Sequence, residues 1–273
     1  MDLIALALAE DIGTGDVTTA WFTDSSLQTR ARIFAKQTLC LSGVETAREV
    51  FRRVDPTLSV EAIATEGTIL APESTVMEIS GSAHSILTAE RVALNFLQRL
   101  SGIATLTRRY VQAIEGTEAR ILDTRKTTPG HRLLEKAAVL AGGGTNHRFG
   151  LYDQVLIKDN HLAAGTSLSS LQTAILAARA SDPSLRVEIE ADTLDQVREF
   201  YSLSGIDVIL LDNMSLAQLR EAVASRPEGV LLEASGGVTL DSIRAIAETG
   251  VDFISVGALT HSAPAVDLSL EMR

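Results

Sequence analysis

Two regimes of hydrophobic and polar patterning run along the chain. In the first, short strands and helices are mixed. Arg30–Lys36 reads as a strand, and Val44–Val54 as a helix with its Arg and Glu outward. Leu58–Ala64 and Thr75–Ser80 read as strands around the Glu66-Gly67 turn. Leu87, Leu94, Leu97 and Leu100 recur at helical spacing and predict a helix over about Ser85–Leu100. Ser101-Gly102 offers a break, after which a second helix is expected to run to Ile114. These elements predict an α+β domain over residues 1–115, with residues 264–273 packing back on it.

After Gly116 the pattern changes. Short apolar strands are expected at Ala119–Thr124, Gln154–Lys158, Arg186–Ala191, Val208–Asp212, Val230–Ala234 and Phe253–Gly257. Helical stretches at Pro129–Leu140, Ser167–Ala180, Leu194–Ser202, Leu216–Ala224 and Leu240–Glu248 lie between them. A seventh strand is expected near Thr145–Arg148. Strands alternating with helices predict a parallel sheet or barrel over residues 116–263. That is short for eight βα units, so the pattern favours an incomplete barrel, with an open doubly wound sheet as the alternative.

Composition narrows the class. Of 273 residues, 45% are hydrophobic and 22% charged, enough to bury a core and unlike a disordered chain. A single cysteine, Cys40, excludes an intramolecular disulfide and a CxxC motif. The start, Met1-Asp2-Leu3, is acidic where a secretory signal needs Lys or Arg, and Asn160–Ala178 is too rich in Ser, Thr and Gln to span a membrane. A soluble cytoplasmic protein is expected.

The formal net charge is −11, yet residues 119–161 carry seven Lys/Arg against four Asp/Glu. One basic window in an acidic chain does not make a nucleic-acid footprint, which needs a broad basic face. It suits a small anion drawn into a local positive pocket. The plainer alternative is a solvated basic helix face.

The strand ends favour the pocket. Asp123-Thr124-Arg125-Lys126, Lys158-Asp159-Asn160-His161, Asp212-Asn213, Glu233-Ala234-Ser235-Gly236-Gly237 and Gly257-Ala258 each follow a strand, and Glu188 and Glu190 share one strand face. Ligands bind at this edge of barrels and open α/β sheets. Arg125, Lys126, His147, Arg148 and Lys158 form a cationic set suited to a multiply charged anion. Glu190 and Asp212 form an acidic set. They suit Mg²⁺ with substrate phosphates or a developing positive charge, and equally suit counter-ions for Lys126 and Lys158. Ser235-Gly236-Gly237 and Gly257-Ala258 are either a phosphate site or plain turns.

Several segments together carry a family resemblance. Asp123-Thr124-Arg125-Lys126-Thr127-Thr128-Pro129-Gly130, Gly142-Gly143-Gly144-Thr145-Asn146-His147-Arg148 and Leu156-Ile157-Lys158-Asp159-Asn160-His161 come first. Val187–Glu190, Leu210–Asn213, Leu232–Gly237 and Ser255–Ser262 follow in order, and Glu10–Thr19, Glu90-Arg91 and Leu100–Thr105 precede them. The set resembles the nicotinate-nucleotide pyrophosphorylase (carboxylating), or quinolinate phosphoribosyltransferase, family over nearly the whole chain. His131, Phe149 and Tyr152 depart from the family pattern and leave the charged set intact.

The resemblance implies that quinolinate and 5-phosphoribosyl-1-pyrophosphate give nicotinate mononucleotide, pyrophosphate and CO₂, in NAD biosynthesis, with Mg²⁺. It implies an N-terminal α/β sandwich domain and a seven-stranded TIM-like α/β barrel. It implies a homodimer, possibly assembled into a hexamer, whose active sites are shared between subunits. Arg91 from the neighbouring subunit would meet a quinolinate carboxylate, with Arg125, His147, Arg148 and Lys158 completing that pocket and Lys126 close by. Glu190 and Asp212 would face the ribose and metal. Ser235, Gly237 and Gly257 would line the 5′-phosphate site, and His261 would lie near the pyrophosphate. Three rivals stand beside this: a related molybdenum-transport-associated group, a non-catalytic anion binder on the same scaffold, and a Schiff-base lyase using Lys126 or Lys158. The retained Asn146 and Lys158-Asp159-Asn160 disfavour the first.

Overall fold

The structure is a computed structural model that describes residues 2–158, 161 and 167–273. The Asp159-Asn160 part of the third motif lies outside the described residues. Two compact units emerge. The first takes in the chain up to Arg108 together with Thr127–Gly143 and Ala258–Arg273; the second takes in Arg109–Lys126 and Gly144–Gly257. This grouping is discontinuous, since both Thr127–Gly143 and Ala258–Arg273 belong to the first unit. Residues 127–143 pack with the first unit although they sit between two strands of the second.

In the first unit the chain opens with α1 (Leu3–Ile12) and α2 (Val17–Phe22), neither of which the pattern predicted. Each is started by an aspartate N-cap. Asp2 Oδ1 accepts from the Ala5 amide at 3.1 Å, and Asp16 Oδ1 from the Thr19 amide at 2.9 Å. A four-stranded antiparallel sheet follows, with β1 (Gln28–Ala35), β3 (Ser59–Ala62), β5 (Thr75–Ser82) and β12 (Leu268–Met272) in the order β12-β1-β5-β3. Two further short strands, β2 (Leu39–Cys40) and β4 (Ile69–Leu70), pair separately. The sheet packs against α3 (Val44–Val54) and α4 (Ala83–Ala113) around a core that includes Ile33, Phe51, Met77, Ile79, Ile86 and Leu97. This is the expected α+β sandwich.

The expected break at Ser101-Gly102 does not occur, and α4 runs unbroken for 31 residues. The glycine serves packing. A Cβ built at Gly102 would lie 2.1 Å from the Pro264 carbonyl oxygen, so only glycine admits the returning chain. Ser101 is buried in the same turn, and its hydroxyl donates to the Ser42 carbonyl at 3.0 Å.

The second unit holds six parallel strands: β6 (Arg120–Leu122), β7 (Val155–Ile157), β8 (Val187–Ala191), β9 (Val208–Asp212), β10 (Leu231–Ser235) and β11 (Phe253–Ser255). Their order is β6-β11-β10-β9-β8-β7. In place of a seventh strand, a single parallel bridge joins Leu122 to Thr145 at the outer edge of β6. The six strands and this bridge make up the incomplete α/β barrel. Helices α6 (Leu168–Ser181), α7 (Leu194–Tyr201), α8 (Leu216–Ala224) and α9 (Ile243–Ala247) connect them, and α5 (Arg132–Ala141) and α10 (Ala258–His261) belong to the first unit. Helices α7 and α8 start in capping boxes, Thr193 with Gln196 and Ser215 with Gln218. Among the described residues, no helix is long and apolar enough to cross a membrane.

Candidate active site

The strands of the second unit alternate in direction of side chain, so residues two apart share a face. That alternation brings Leu156 with Lys158, Leu210 with Asp212, and Glu233 with Ser235 onto one cavity of about 410 Å³. Thr124, Arg125, Lys126, His147, Arg148, Glu190 and Ser255 complete the charged and polar part of its wall. Of the expected site residues, the structure therefore gathers Arg125, Lys126, His147, Arg148, Lys158, Glu190, Asp212 and Ser235 at one place. Gly237 and Gly257 are not among the lining residues. Arg91, exposed on α4, and His261, exposed on α10, belong to the first unit.

Local hydrogen bonds position the cations. The Leu122–Thr145 bridge brings residues 146–148 alongside the end of β6, where buried Asp123 accepts the His147 amide at 2.8 Å. The Arg148 guanidinium donates to the Gln154 carbonyl at 3.3 Å. Burial, and then the neighbouring Arg125 charge, pull the Arg148 guanidinium below its ordinary value. A like-charge cluster held this way favours a bound anion.

The acidic set is arranged unevenly. Glu190 Oε2 lies 2.6 Å from Lys158 Nζ, so one of the two acids is paired with a cation of the cavity. Asp212 Oδ2 instead accepts from Asn213 Nδ2 at 2.6 Å. Asn213 has a positive φ of 53°, and Gly236 faces it so closely that a Cβ there would lie 2.1 Å from Asn213 Oδ1. Gly236, at φ 94°, is thus fixed by both its backbone and its neighbour. Glu190 and Asp212 present hard carboxylate oxygens to the cavity, the donor type Mg²⁺ takes, so these residues fit the ion that the resemblance implies.

His147 is held by its own protein neighbours. Its Nδ1 accepts the Arg148 amide at 2.7 Å, and its Nε2 lies 3.0 Å from Glu188 Oε2. Both ring nitrogens are engaged by protein, so the imidazole meets the cavity through its ring. Glu188 and Glu233 were not singled out as site residues by the sequence reading. The signal was present: Glu188 precedes Glu190, and Glu233 precedes Ser235, by the two residues that return a strand to the same face.

Known proteins match this chain over most of its length. Residues 16–101 match the N-terminal domain, and residues 103–271 the C-terminal domain, of quinolinate phosphoribosyl transferase. The chain belongs to the quinolinate phosphoribosyltransferase family. A relative from Bacillus subtilis (strain 168), named as a probable nicotinate-nucleotide pyrophosphorylase [carboxylating], is 43% identical over 264 residues, covering 96% of this chain and 90% of its own. A Nicotiana tabacum family member, quinolinate phosphoribosyltransferase [decarboxylating] 2b, is 40% identical over 99% of this chain and 81% of its own. The solved nicotinate-nucleotide pyrophosphorylase of Francisella tularensis superposes with a TM-score of 0.92 at 39% identity, covering 99% of this chain and 95% of that one.

Proposed function

We propose that this member of the family is the phosphoribosyltransferase that joins quinolinate to 5-phosphoribosyl-1-pyrophosphate, releasing nicotinate mononucleotide, pyrophosphate and CO₂ on the way to NAD. The observation that carries this reading is the convergence of Arg125, Lys126, Arg148 and Lys158 with Glu190 and Asp212 on one cavity. Quinolinate is a dianion, and taking it out of water requires several cations. Arg125, Arg148 and Lys158 would hold its carboxylates, with the His147 ring against the pyridine.

Departure of pyrophosphate leaves positive charge on the ribose carbon. Glu190 and Asp212 would stabilise that charge through space, without covalent attack, and Lys126 would offset the departing phosphates. The same two acids would hold Mg²⁺ with the substrate phosphates, and the bound ion supplies positive charge toward the pyrophosphate. Ser235, Gly237 and Gly257 would receive the 5′-phosphate, and His261 would lie near the pyrophosphate. Once the pyridine nitrogen is alkylated, its charge makes loss of the 2-carboxylate as CO₂ feasible; the electron pair left on C2 takes a proton from water, and the protein need only hold the ring.

The resemblance further supports a homodimer in which Arg91 of one subunit completes the pocket of the other. A coupled assay for nicotinate mononucleotide, fed with labelled quinolinate and 5-phosphoribosyl-1-pyrophosphate, tests the whole reading. No product from a folded protein would overturn it.

A further inference from the structure

Beneath the cations of the cavity lies a buried acid pair that no step above uses. Glu188 on β8 and Glu233 on β10 are 0% and 1% exposed. Their oxygens and His147 Nε2 all lie within 4.8 Å of one another. Gln154 Nε2 donates to Glu188 Oε2 at 2.5 Å, and the Ser255 hydroxyl donates to Glu233 Oε1. Glu188 Oε1 has no hydrogen-bond partner among the described residues.

Proton accounting at this cluster follows from its geometry. His147 Nδ1 accepts the Arg148 N–H, so the ring proton sits on Nε2, facing the carboxylates. One imidazole N–H satisfies one carboxylate, Glu188 at 3.0 Å, while Glu233 is farther, at 3.6 Å. Two carboxylates buried this close do not both ionise, so the second proton belongs on Glu233.

We propose that Glu233 is a positioning residue for quinolinate binding, standing in the wall of the cavity as a neutral carboxylic acid so that no second buried negative charge offsets the cations above it. The inference rests on the functional reading of this cavity. Burial, and then the adjacent Glu188 charge, push the Glu233 carboxyl up to about 8, with His147 and the Ser255 hydroxyl acting in the opposite direction. The charged groups that share the cavity with it are Arg125, Lys126, Arg148 and Lys158 from the loops and strand ends, Glu190 from β8 and Asp212 from β9. Ionisation of Glu233 would add a negative charge where a dianion must enter. Binding that requires one proton on the protein weakens up to tenfold per pH unit above that group's value.

The test is calorimetric titration of the whole protein with quinolinate between pH 6.5 and 9.5, on wild type, Glu233→Ala and Glu233→Gln. Wild type should bind about tenfold more weakly at pH 9 than at pH 7. Glu233→Gln and Glu233→Ala both remove the ionisable carboxyl, so neither should show alkaline weakening, and Glu233→Gln, which keeps size and hydrogen bonding, should bind at pH 7 about as tightly as wild type. An alkaline loss in Glu233→Gln equal to that of wild type would overturn the inference, and so would a tenfold or greater loss of binding in Glu233→Gln at pH 7. Infrared difference spectra of wild type give a readout that needs no variant. The C=O stretch of a protonated carboxyl should disappear between pH 7 and pH 9, and its absence at pH 7 would also overturn the inference. A wild-type protein that binds no quinolinate at any pH would instead remove the functional reading itself.

Discussion

Lys158 Nζ and Glu190 Oε2 stand 2.6 Å apart, with the lysine side chain 44% exposed and the glutamate 11%. On the function proposed above, each partner of this ion pair would be wanted by a different substrate. A dianion entering the cavity would compete for the lysine, and a positive charge developing on the ribose would compete for the glutamate. The two readings of Glu190 drawn from sequence, counter-ion and catalytic carboxylate, would then describe one group before and during turnover.

Glu190→Gln separates those roles. The amide keeps size and a hydrogen-bond acceptor for Lys158, so the melting temperature and quinolinate binding should survive. The glycosyl-transfer step should slow by about 10²–10³, the loss typical of one preorganised electrostatic group. Thermal melts and single-turnover rates on the same preparation decide the point. A large drop in melting temperature with near-normal chemistry in the folded fraction would reduce Glu190 to a counter-ion.

Lys158→Ala and Arg148→Ala should weaken quinolinate much more than 5-phosphoribosyl-1-pyrophosphate. Each removes a charge-assisted hydrogen bond, costing about 1.5–3 kcal/mol, or roughly ten- to a hundredfold in affinity. Calorimetry with each ligand alone measures the ratio, and equal losses would count against a dicarboxylate pocket.

Glu135 is fully buried on α5, where it accepts from Arg99 at 2.8 Å and from the amide and hydroxyl of Thr128 at 3.1 and 2.7 Å. Glu135→Ala leaves the Arg99 charge without its partner and should destabilise the first unit by about 3–5 kcal/mol. Urea denaturation gives the value. Replacing both residues with apolar groups of similar size should cost less than Glu135→Ala alone.

Glu233 also leaves a mark on stability. A glutamate ordinarily titrates near 4.5, and this one is pushed up to about 8. Between those values the folded state holds one more proton than the unfolded state, so stability is highest at the acid end and falls as pH rises. The slope from this group is about 1.4 kcal/mol per pH unit. Denaturation at pH 5.5, 6.5 and 7.5 should show a steeper fall in wild type than in Glu233→Gln. Parallel curves would mean that the carboxyl is already ionised at neutral pH.

Subunit sharing has its own signature. Mixing Arg91→Ala protein with Arg125→Ala protein, under conditions that exchange subunits, should restore part of the activity because one composite site escapes both changes. Mixtures as inactive as their parents would show that the site is not shared between subunits.

The legible parts of the fold were those whose local chemistry and burial agree. Helices α3 and α8 occupy the expected residues, Val44–Val54 and Leu216–Ala224. Strand β9 likewise occupies Val208–Asp212. Gly102 misled because a glycine demanded by a neighbouring chain looks, in sequence, the same as one that ends a helix. Helices α1 and α2 escaped because their aspartate caps precede short segments without a strong apolar stripe. In the site, the motif residues at strand ends were legible because their types are unusual beside buried strands. Glu188 and Glu233 were not, since the worth of a buried acid depends on what stands across the sheet from it.

Strand β12 pairs with β1 through Ala31–Ala35, and Thr29 Oγ1 donates to the carbonyl of Arg273, 244 residues away. During synthesis, the edge of β1 therefore emerges from the ribosome long before the strand that covers it. Until then β1 carries an open row of backbone donors and acceptors on a nascent chain, a template for wrong pairing. The barrel strands, drawn from the stretch between, have time to associate first.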